Sequence, residues 1–327
     1  KKFKELSKSP DFTKLSSAQK KVIENSLRDF RLGGAELSDA DKPRFAQIQD
    51  EQATLGKAFS DHVLDATDGF VHLVTDKAEL VGLPEDVVAA AADTAQQKNL
   101  QGWAFTLHFP SYYPVMQYSE NRSLRRLMYE AYVTRASELA PQYSQGNLDW
   151  DNTQIMLDQL KLRNEEARML GFQNFAALSL APKMASSVEE VDNFLTTFAQ
   201  KAKPFAQKDW HELSEFAKSE LAIIDGLEPW DIAYASERLK QERYAFSENE
   251  LKQYFPLSKV LEGLFGVIQT LFGVKIEAAN LPTWHADVQS FSVKNGVGNI
   301  VAYFYLDPYA RPGKRGGAWM DDARGRR

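Results

Sequence analysis

The sequence contains no cysteine among its 327 residues. This absence excludes disulfide bonds, thiolate metal sites and a cysteine nucleophile, and it fits a protein of a reducing compartment. The sequence also lacks an apolar run long enough to cross a bilayer, and its first residues, KKFKELSK, contain no apolar signal core. We therefore expect a cytoplasmic protein that has no membrane partner.

The sequence has no excess of positive charge either. Its 45 acidic and 39 basic residues give a net charge of −6, which shows no overall bias toward nucleic acid. Basic residues cluster only near the end, between Lys314 and Arg327, and Asp321 and Asp322 interrupt them. This pattern is more typical of a solvated tail than of an RNA-binding arm, so we expect no nucleic-acid partner.

Histidine is scarce, and its spacing argues against a metal site in this chain. A zinc-protease helix of the HExxH type needs two histidines four residues apart, with the intervening Glu as general base. His211 and Glu212 begin such a pattern, but Glu215 stands where the second histidine belongs. A carboxylate can bind zinc, yet nothing nearby supplies a third ligand. The remaining histidines also lack a partner four residues later, namely His62, His72, His108 and His285. We predict a solvent-facing helix at 210–216, with no metal ligand and no catalytic residue in the chain.

Most of the chain has the apolar spacing and capping residues of amphipathic helices. The predicted helices begin near Ser16, Pro43, Glu85, Ser123, Asn152, Val188, Phe216 and Leu261. In the helix after Ser123, Tyr129 and Tyr132 share a face with Arg125. We interpret this face as a packing surface rimmed by guanidinium groups.

Two stretches alternate between large apolar and smaller or polar residues, as half-buried strands do. One is 103–109, and the other is a β-hairpin at 288–306 with a turn at Asn295-Gly296. The predicted fold is therefore mainly α, with a small antiparallel β-sheet near 103–109 and 288–306. We divide the chain into a helical region, 1–283, and a β-hairpin with a Gly-rich loop, 284–327.

The hairpin region resembles a known family. The segment FYLDPYARPGKRGGAWMDD (304–322) is closely similar to one in the thimet oligopeptidase family of zinc metallopeptidases. Other similar stretches follow the same order along the whole chain: VLDAT (63–67), PSYYPVM (110–116), RRLMYEAYVTRAS (125–137), LGFQNFAALSLAPKMA (170–185), EPWDIAY (228–234), LKQYFP (251–256) and WHADV (284–288). The resemblance implies a helical neurolysin- or thimet-oligopeptidase-like fold. In that fold two halves flank a deep channel with zinc on its floor, so that only short, unstructured peptides reach the metal.

The same resemblance implies that the zinc-binding region is missing from this chain. Members of the family carry an HExxH helix and a further Glu ligand after the part that corresponds to GGAW, whereas this sequence stops at Arg327. We expect the full-length enzyme to be a monomer that binds zinc, and we expect this chain to bind none. Its helical region, 1–283, is expected to form a channel wall. The chain is then an inactive central fragment of a zinc oligopeptidase. The alternative is a stand-alone helical module that binds peptides without cutting them.

Candidate substrate-binding residues lie at the end of the hairpin. An exposed strand edge in 288–306 can pair with an extended peptide through main-chain hydrogen bonds. Tyr305, Tyr309 and Arg311 are predicted to line the channel there, with Arg311 holding a carboxylate bidentately. In the alternative interpretation the tyrosines pack under the loop and Arg311 pairs with Asp307.

His285 and Asp287 also suggest a catalytic relay, because they stand two residues apart. No serine nucleophile in a strained turn accompanies them. We therefore favour a structural hydrogen bond between His285 and either Asp287 or the backbone.

Overall fold

The computed structural model describes residues 2–142, 150–246, 248–317 and 320, and it is mainly helical with two small antiparallel sheets. This confirms the predicted fold class. The helices are α1 (Lys2–Leu6), α2 (Pro10–Thr13), α3 (Ser17–Leu32), α4 (Lys42–Gly69), α5 (Glu85–Gln97), α6 (Phe109–Tyr118), α7 (Arg122–Thr134), α8 (Thr153–Met169), α9 (Phe175–Leu180), α10 (Val188–Glu220), α11 (Ile232–Tyr244), α12 (Glu248–Lys252) and α13 (Leu257–Phe272). The strands are β1 (His72–Val74), β2 (Trp103–Phe105), β3 (Lys275–Ala279), β4 (Gln289–Lys294) and β5 (Ile300–Leu306). Within the described ranges, none of these helices combines the length and the apolar character that a membrane span requires.

The chain forms two compact units. Within its described part, the first unit comprises residues 2–66, 134–142 and 150–212, and the second comprises 67–133, 213–246, 248–317 and 320. Position 284, where the sequence analysis divides the chain, lies inside the second unit. The predicted division into a channel wall and a hairpin segment stays a prediction.

In the first unit, polar contacts join α4 to α8 and to Asn152, the residue before α8. Arg44 donates from Nε and Nη2 to the two carboxylate oxygens of Glu165, at 2.7 and 2.6 Å. Asn152, which precedes α8 and is buried, donates to the carbonyl oxygen of Phe59 at 3.1 Å. Ile48 of α4, one helical turn after Arg44, is fully buried.

The core of the second unit packs α5, α6 and α7 against the two-stranded sheet of β1 and β2. Its completely buried members include Phe105, Val115 and Met128. A sharp turn at Gly82 precedes α5, with φ at +88°, and a Cβ atom there would overlap the carbonyl oxygen of Tyr118. Only glycine fits this position without a backbone shift.

The predicted strand at 103–109 is wrong in its second half. β2 ends at Phe105, because its partner β1 offers only three residues, His72 to Val74, for pairing. Beyond it the Thr106 amide donates to Ser111 Oγ at 3.0 Å. Helix α6 then begins at Phe109, with proline in its first turn, where a missing N–H costs nothing.

The predicted hairpin is confirmed as β4 and β5, which pair antiparallel from Gln289↔Leu306 to Lys294↔Ile300 with an irregularity at Val293/Lys294. β3 is not predicted from the sequence, and it pairs with the other edge of β4. Phe265 of α13 packs edge-on against Phe291 of β4, with ring centroids 5.1 Å apart. The sheet order is therefore β3-β4-β5, with α13 on one face.

Residues 188–220 form the single helix α10, although the sequence analysis predicts separate helices at 188–205 and from 216. Pro204 lies inside the helix. Several residues between the two segments have high helix propensity, so the helix continues through them. A prediction from apolar spacing alone does not take this propensity into account.

Candidate functional site

The edge of the three-stranded sheet provides the surface that the sequence analysis assigns to peptide binding. β5 pairs with β4 on one side, and it is the outer strand of the sheet as far as the described residues extend. Its side chains are largely exposed, with Val301 at 58% and Tyr303 at 53% of full accessibility. An outer strand of seven residues presents main-chain donors and acceptors that an extended chain can pair with.

Asp307, which follows β5, organises the start of the Gly-rich loop. Arg311 donates from Nη1 and Nη2 to its two carboxylate oxygens, at 2.7 and 2.8 Å. Trp284 Nε1 donates to the same carboxylate at 3.1 Å, and Lys314 Nζ donates to the Asp307 carbonyl oxygen. Hydrogen bonding from Arg311 holds the pKa of Asp307 well below its ordinary value, although burial opposes this shift. The carboxylate is therefore ionised wherever the protein is folded near neutral pH.

The structure combines parts of both interpretations of the three candidate residues. Arg311 forms the bidentate pair with Asp307, so a ligand carboxylate must compete with that pair. The tyrosines do not pack under the loop: Tyr305 is 40% exposed and Tyr309 52%. Tyr305 is flanked by the indole of Trp284, with ring centroids 5.2 Å apart. The two tyrosine rings remain available to a ligand.

A residue from α4 that is not predicted from the sequence fixes the Gly-rich loop. Asp68 accepts a hydrogen bond from the amide of Gly313 at 2.7 Å, and its other oxygen lies 2.8 Å from His108 Nε2. His108 Nδ1 lies 3.2 Å from Thr106 Oγ1. Since Asp68 precedes Gly313 by 245 positions, no local pattern signals this contact.

The pair of His285 and Asp287 has the structural role that the sequence analysis favours. The backbone amide of Asp287 donates to His285 Nδ1 at 3.2 Å, and the carboxylate is 3.5 Å from the same nitrogen. Because Nδ1 of His285 accepts this backbone hydrogen bond, it is already used within its own turn. This arrangement stabilises the turn that leads into β4.

The zinc ion that the resemblance implies needs a cluster of His, Asp or Glu side chains as ligands. Among residues 2–142, 150–246, 248–317 and 320, no group of three or more His, Asp or Glu side chains is arranged to hold a metal ion. His211 and Glu215 are both exposed on α10. The described side chains do not fit a zinc site, and we assign no chemical step to a metal held by them.

Comparisons with known proteins give a consistent result. The model of peptidase family M3 matches residues 115–327. The chain is 44% identical to oligopeptidase A of Escherichia coli K12 over 324 residues, which cover 99% of this chain and 47% of that protein. It is 46% identical to oligopeptidase A of Haemophilus influenzae, with 98% and 47% covered, and 33% identical to dipeptidyl carboxypeptidase of E. coli K12, with 94% and 44% covered. The chain thus spans about half the length of the curated relatives it matches.

Proposed function

Since this chain belongs to peptidase family M3, we propose that it is the central part of a zinc-dependent oligopeptidase that hydrolyses short peptides. The names of the relatives in the comparison support this class of substrate. In the whole enzyme, residues other than those described here would hold the zinc ion, which would supply an activated water for attack on the peptide carbonyl. A cytoplasmic location belongs to the same proposal.

The part that we assign to this chain is peptide capture at the β5 edge. The observation that carries it is an outer strand with exposed side chains, followed directly by Tyr309 in a loop fixed through Asp307. Main-chain pairing along β5 tolerates many peptide sequences, since it reads no side chain. Tyr305 and Tyr309 contact the bound peptide at the end of the strand, while Arg311 acts mainly through Asp307.

The test uses the full 327-residue chain and a fluorescent nonapeptide of mixed small and apolar residues. A second nonapeptide of the same sequence carries N-methyl groups at alternate residues, which removes donors from one edge of the extended peptide. We expect measurable binding of the first peptide and at least about tenfold weaker binding of the second, because several main-chain hydrogen bonds are lost. Equal binding of the two peptides would contradict pairing at the strand edge.

Side-chain variants locate the binding surface. Tyr305→Ala and Tyr309→Ala should each weaken binding, whereas Tyr254→Ala serves as the matched control, since Tyr254 is 72% exposed and lies outside the hairpin and its loop. Equal effects of all three substitutions would show that the loss of exposed aromatic surface in general, and not this site, causes the weakening.

The catalytic half of the proposal has its own measurement. A quenched fluorogenic peptide incubated with this chain and added zinc should not be cleaved, because the described residues supply no zinc site. Turnover that a chelator abolishes would overturn this assignment.

A further inference from the structure

The second unit contains a pocket between α6, α7 and α11 that the strand edge does not involve. Its volume is about 650 Å³, which lies within the range of about 300–1,000 Å³ that is typical of small-ligand sites. The tyrosine face at Tyr129 and Tyr132, which the sequence analysis interprets as a packing surface, forms part of its wall. We call this cavity the aromatic pocket.

Two stacked pairs of rings form one side of the aromatic pocket. Tyr112 and Tyr132 lie inside, with ring centroids 4.1 Å apart and planes 8° from parallel. Phe109 and Tyr113, one helical turn apart on α6, stack at the rim with centroids 4.8 Å apart. Phe109 is 61% exposed and Tyr113 37%. Stacked rings held on packed helices form a fixed platform, so a ligand ring can stack without the loss of much side-chain freedom.

The lining that α11 contributes includes the polar residues Ser236, Glu237 and Lys240 beside Ile232 and Ala233, and the charges of Glu237 and Lys240 pair with each other. Glu237 of α11 is buried, and its carboxylate accepts from Lys240 Nζ at 2.8 Å and from Gln241 Nε2 at 3.2 Å. A cationic ligand would meet the ammonium of Lys240, and an anionic ligand would meet the carboxylate of Glu237. Because separating a buried ion from its partner is costly, both kinds of ligand are disfavoured.

We propose that the aromatic pocket binds a neutral aromatic side chain of a peptide, such as that of tyrosine. The ring stacks on the Phe109–Tyr113 platform, and the hydroxyl reaches the polar side formed by Ser236, Glu237 and Lys240. This site is separate from the β5 edge and does not depend on peptide capture there.

The probe is N-acetyl-L-tyrosinamide, titrated into the full chain and followed by ligand-detected saturation-transfer NMR. N-acetyl-L-argininamide and N-acetyl-L-glutamic acid amide test the charge argument with the same backbone. We expect saturable binding of the tyrosine probe and at least about tenfold weaker binding of both charged probes. Absence of tyrosine-probe binding, or equal binding of a charged probe, would overturn the proposal.

Two variants place the binding in this pocket. Tyr113→Ala removes a ring at the rim of the pocket. It should weaken binding of the tyrosine probe by about 3- to 10-fold, which is the range for one aromatic stacking contact. The matched control is Phe194→Ala: Phe194 also stacks on a ring one turn away, that of Phe198, and is 67% exposed, but it does not line the pocket. If Phe194→Ala weakens binding of the probe as much as Tyr113→Ala does, the probe adsorbs non-specifically to exposed rings.

Ser236→Trp tests the pocket from its other side. Ser236 is exposed on α11, so a larger side chain can fill the cavity without disturbing the core. We expect loss of probe binding with an unchanged thermal midpoint. Binding of the probe with the affinity of the unaltered chain, in either Ser236→Trp or Tyr113→Ala, would exclude this pocket. Neither substitution alters the β5 edge, so the N-methyl peptide test reports on the strand independently.

Discussion

Replacing Asp231 with asparagine tests how the second unit holds its helices together. Asp231 is completely buried and accepts hydrogen bonds from Arg122 Nη2 and Arg125 Nη2, both at 2.7 Å, and from the amide of Glu228 at 3.1 Å. Arg125 is itself 1% exposed, and its guanidinium lies 4.3 Å from the ring centroid of Tyr234. Asparagine preserves the shape of the side chain but removes the charge that Arg125 requires.

The expected loss follows from the different burial of the two arginines. Arg125 cannot reach water, so Asp231→Asn leaves a buried cation without its counterion, which costs about 3–5 kcal/mol of unfolding free energy. The side chain of Arg122 is 39% exposed and can be rehydrated. Arg122→Gln should therefore destabilise less than Asp231→Asn. Asp158→Asn removes a carboxylate that is 39% exposed and pairs with the largely exposed Lys161, and it should produce no measurable change.

The pH dependence has a definite sign. Burial raises the pKa of Asp231, but hydrogen bonds from Arg122 and Arg125 outweigh burial and place it below its ordinary value of 3.8. Because the folded pKa is lower than the unfolded one, the stabilisation is complete above about pH 4 and is lost as the pH falls through the folded value. The asparagine variant should lack this part of the acid sensitivity.

Urea unfolding followed by circular dichroism gives the free-energy difference, and hydrogen exchange of α7 and α11 peptides assigns it to this region. The reasoning is refuted if Asp231→Asn loses less than about 1 kcal/mol with an unchanged m-value, since Arg125 would then tolerate burial without a carboxylate. It is also refuted if Arg122→Gln costs as much as Asp231→Asn.

Two further predictions concern a turn and a cross-strand ion pair. Gly82→Ala should cost about 2 kcal/mol more than Gly226→Ala in urea unfolding. Both residues have positive φ, but an added Cβ overlaps a backbone oxygen only at Gly82, whereas Gly226 has open space around it. Equal losses of unfolding free energy in the two variants would show that φ alone sets the cost. Hydrogen bonds from Lys275 and Lys294 lower the pKa of Glu277 to about 2, so an NMR titration should find its midpoint there in the intact chain. Lys294→Met should raise that midpoint toward 4.5, and an unmoved midpoint would contradict the ion pair.

The sequence predicts helices and strands well where several local signals mark the same boundary. The prediction fails where a residue distant in the sequence determines the length of an element. For α3, the capping box at Ser16 and Gln19 and the glycine after Leu32 mark both ends. The turn at Asn295-Gly296 likewise predicts the hairpin. By contrast, the alternation at 103–109 suggests a longer strand than the three residues of β1 can pair with.

The candidate site divides in the same way. Tyr305, Tyr309 and Arg311 can be proposed from the sequence, because Tyr305 lies near the end of a predictable strand and the other two follow it. Their part in binding stays a prediction. The pairing of Arg311 with Asp307 at four residues' distance is open to prediction as well. Asp68 is not, since its contact with Gly313 arises only when α4 and the loop are folded. Fixing a loop through a remote carboxylate leaves no trace in local residue patterns.

Helix α13 shows why apolar spacing predicts a helix more reliably than it predicts burial. One face, through Phe265, packs against the aromatic rings of β4 and β5. A second face repeats at alternating spacings of three and four residues and stays 38–70% exposed, at Leu257, Val260, Leu264, Val267 and Leu271. A helix that is apolar on more than one face needs cover on each of them, and the described residues of the second unit bury none of its side chains completely. The spacing of apolar residues therefore indicates how many faces of a helix favour burial. The arrangement of the other helices and strands decides which of those faces is covered.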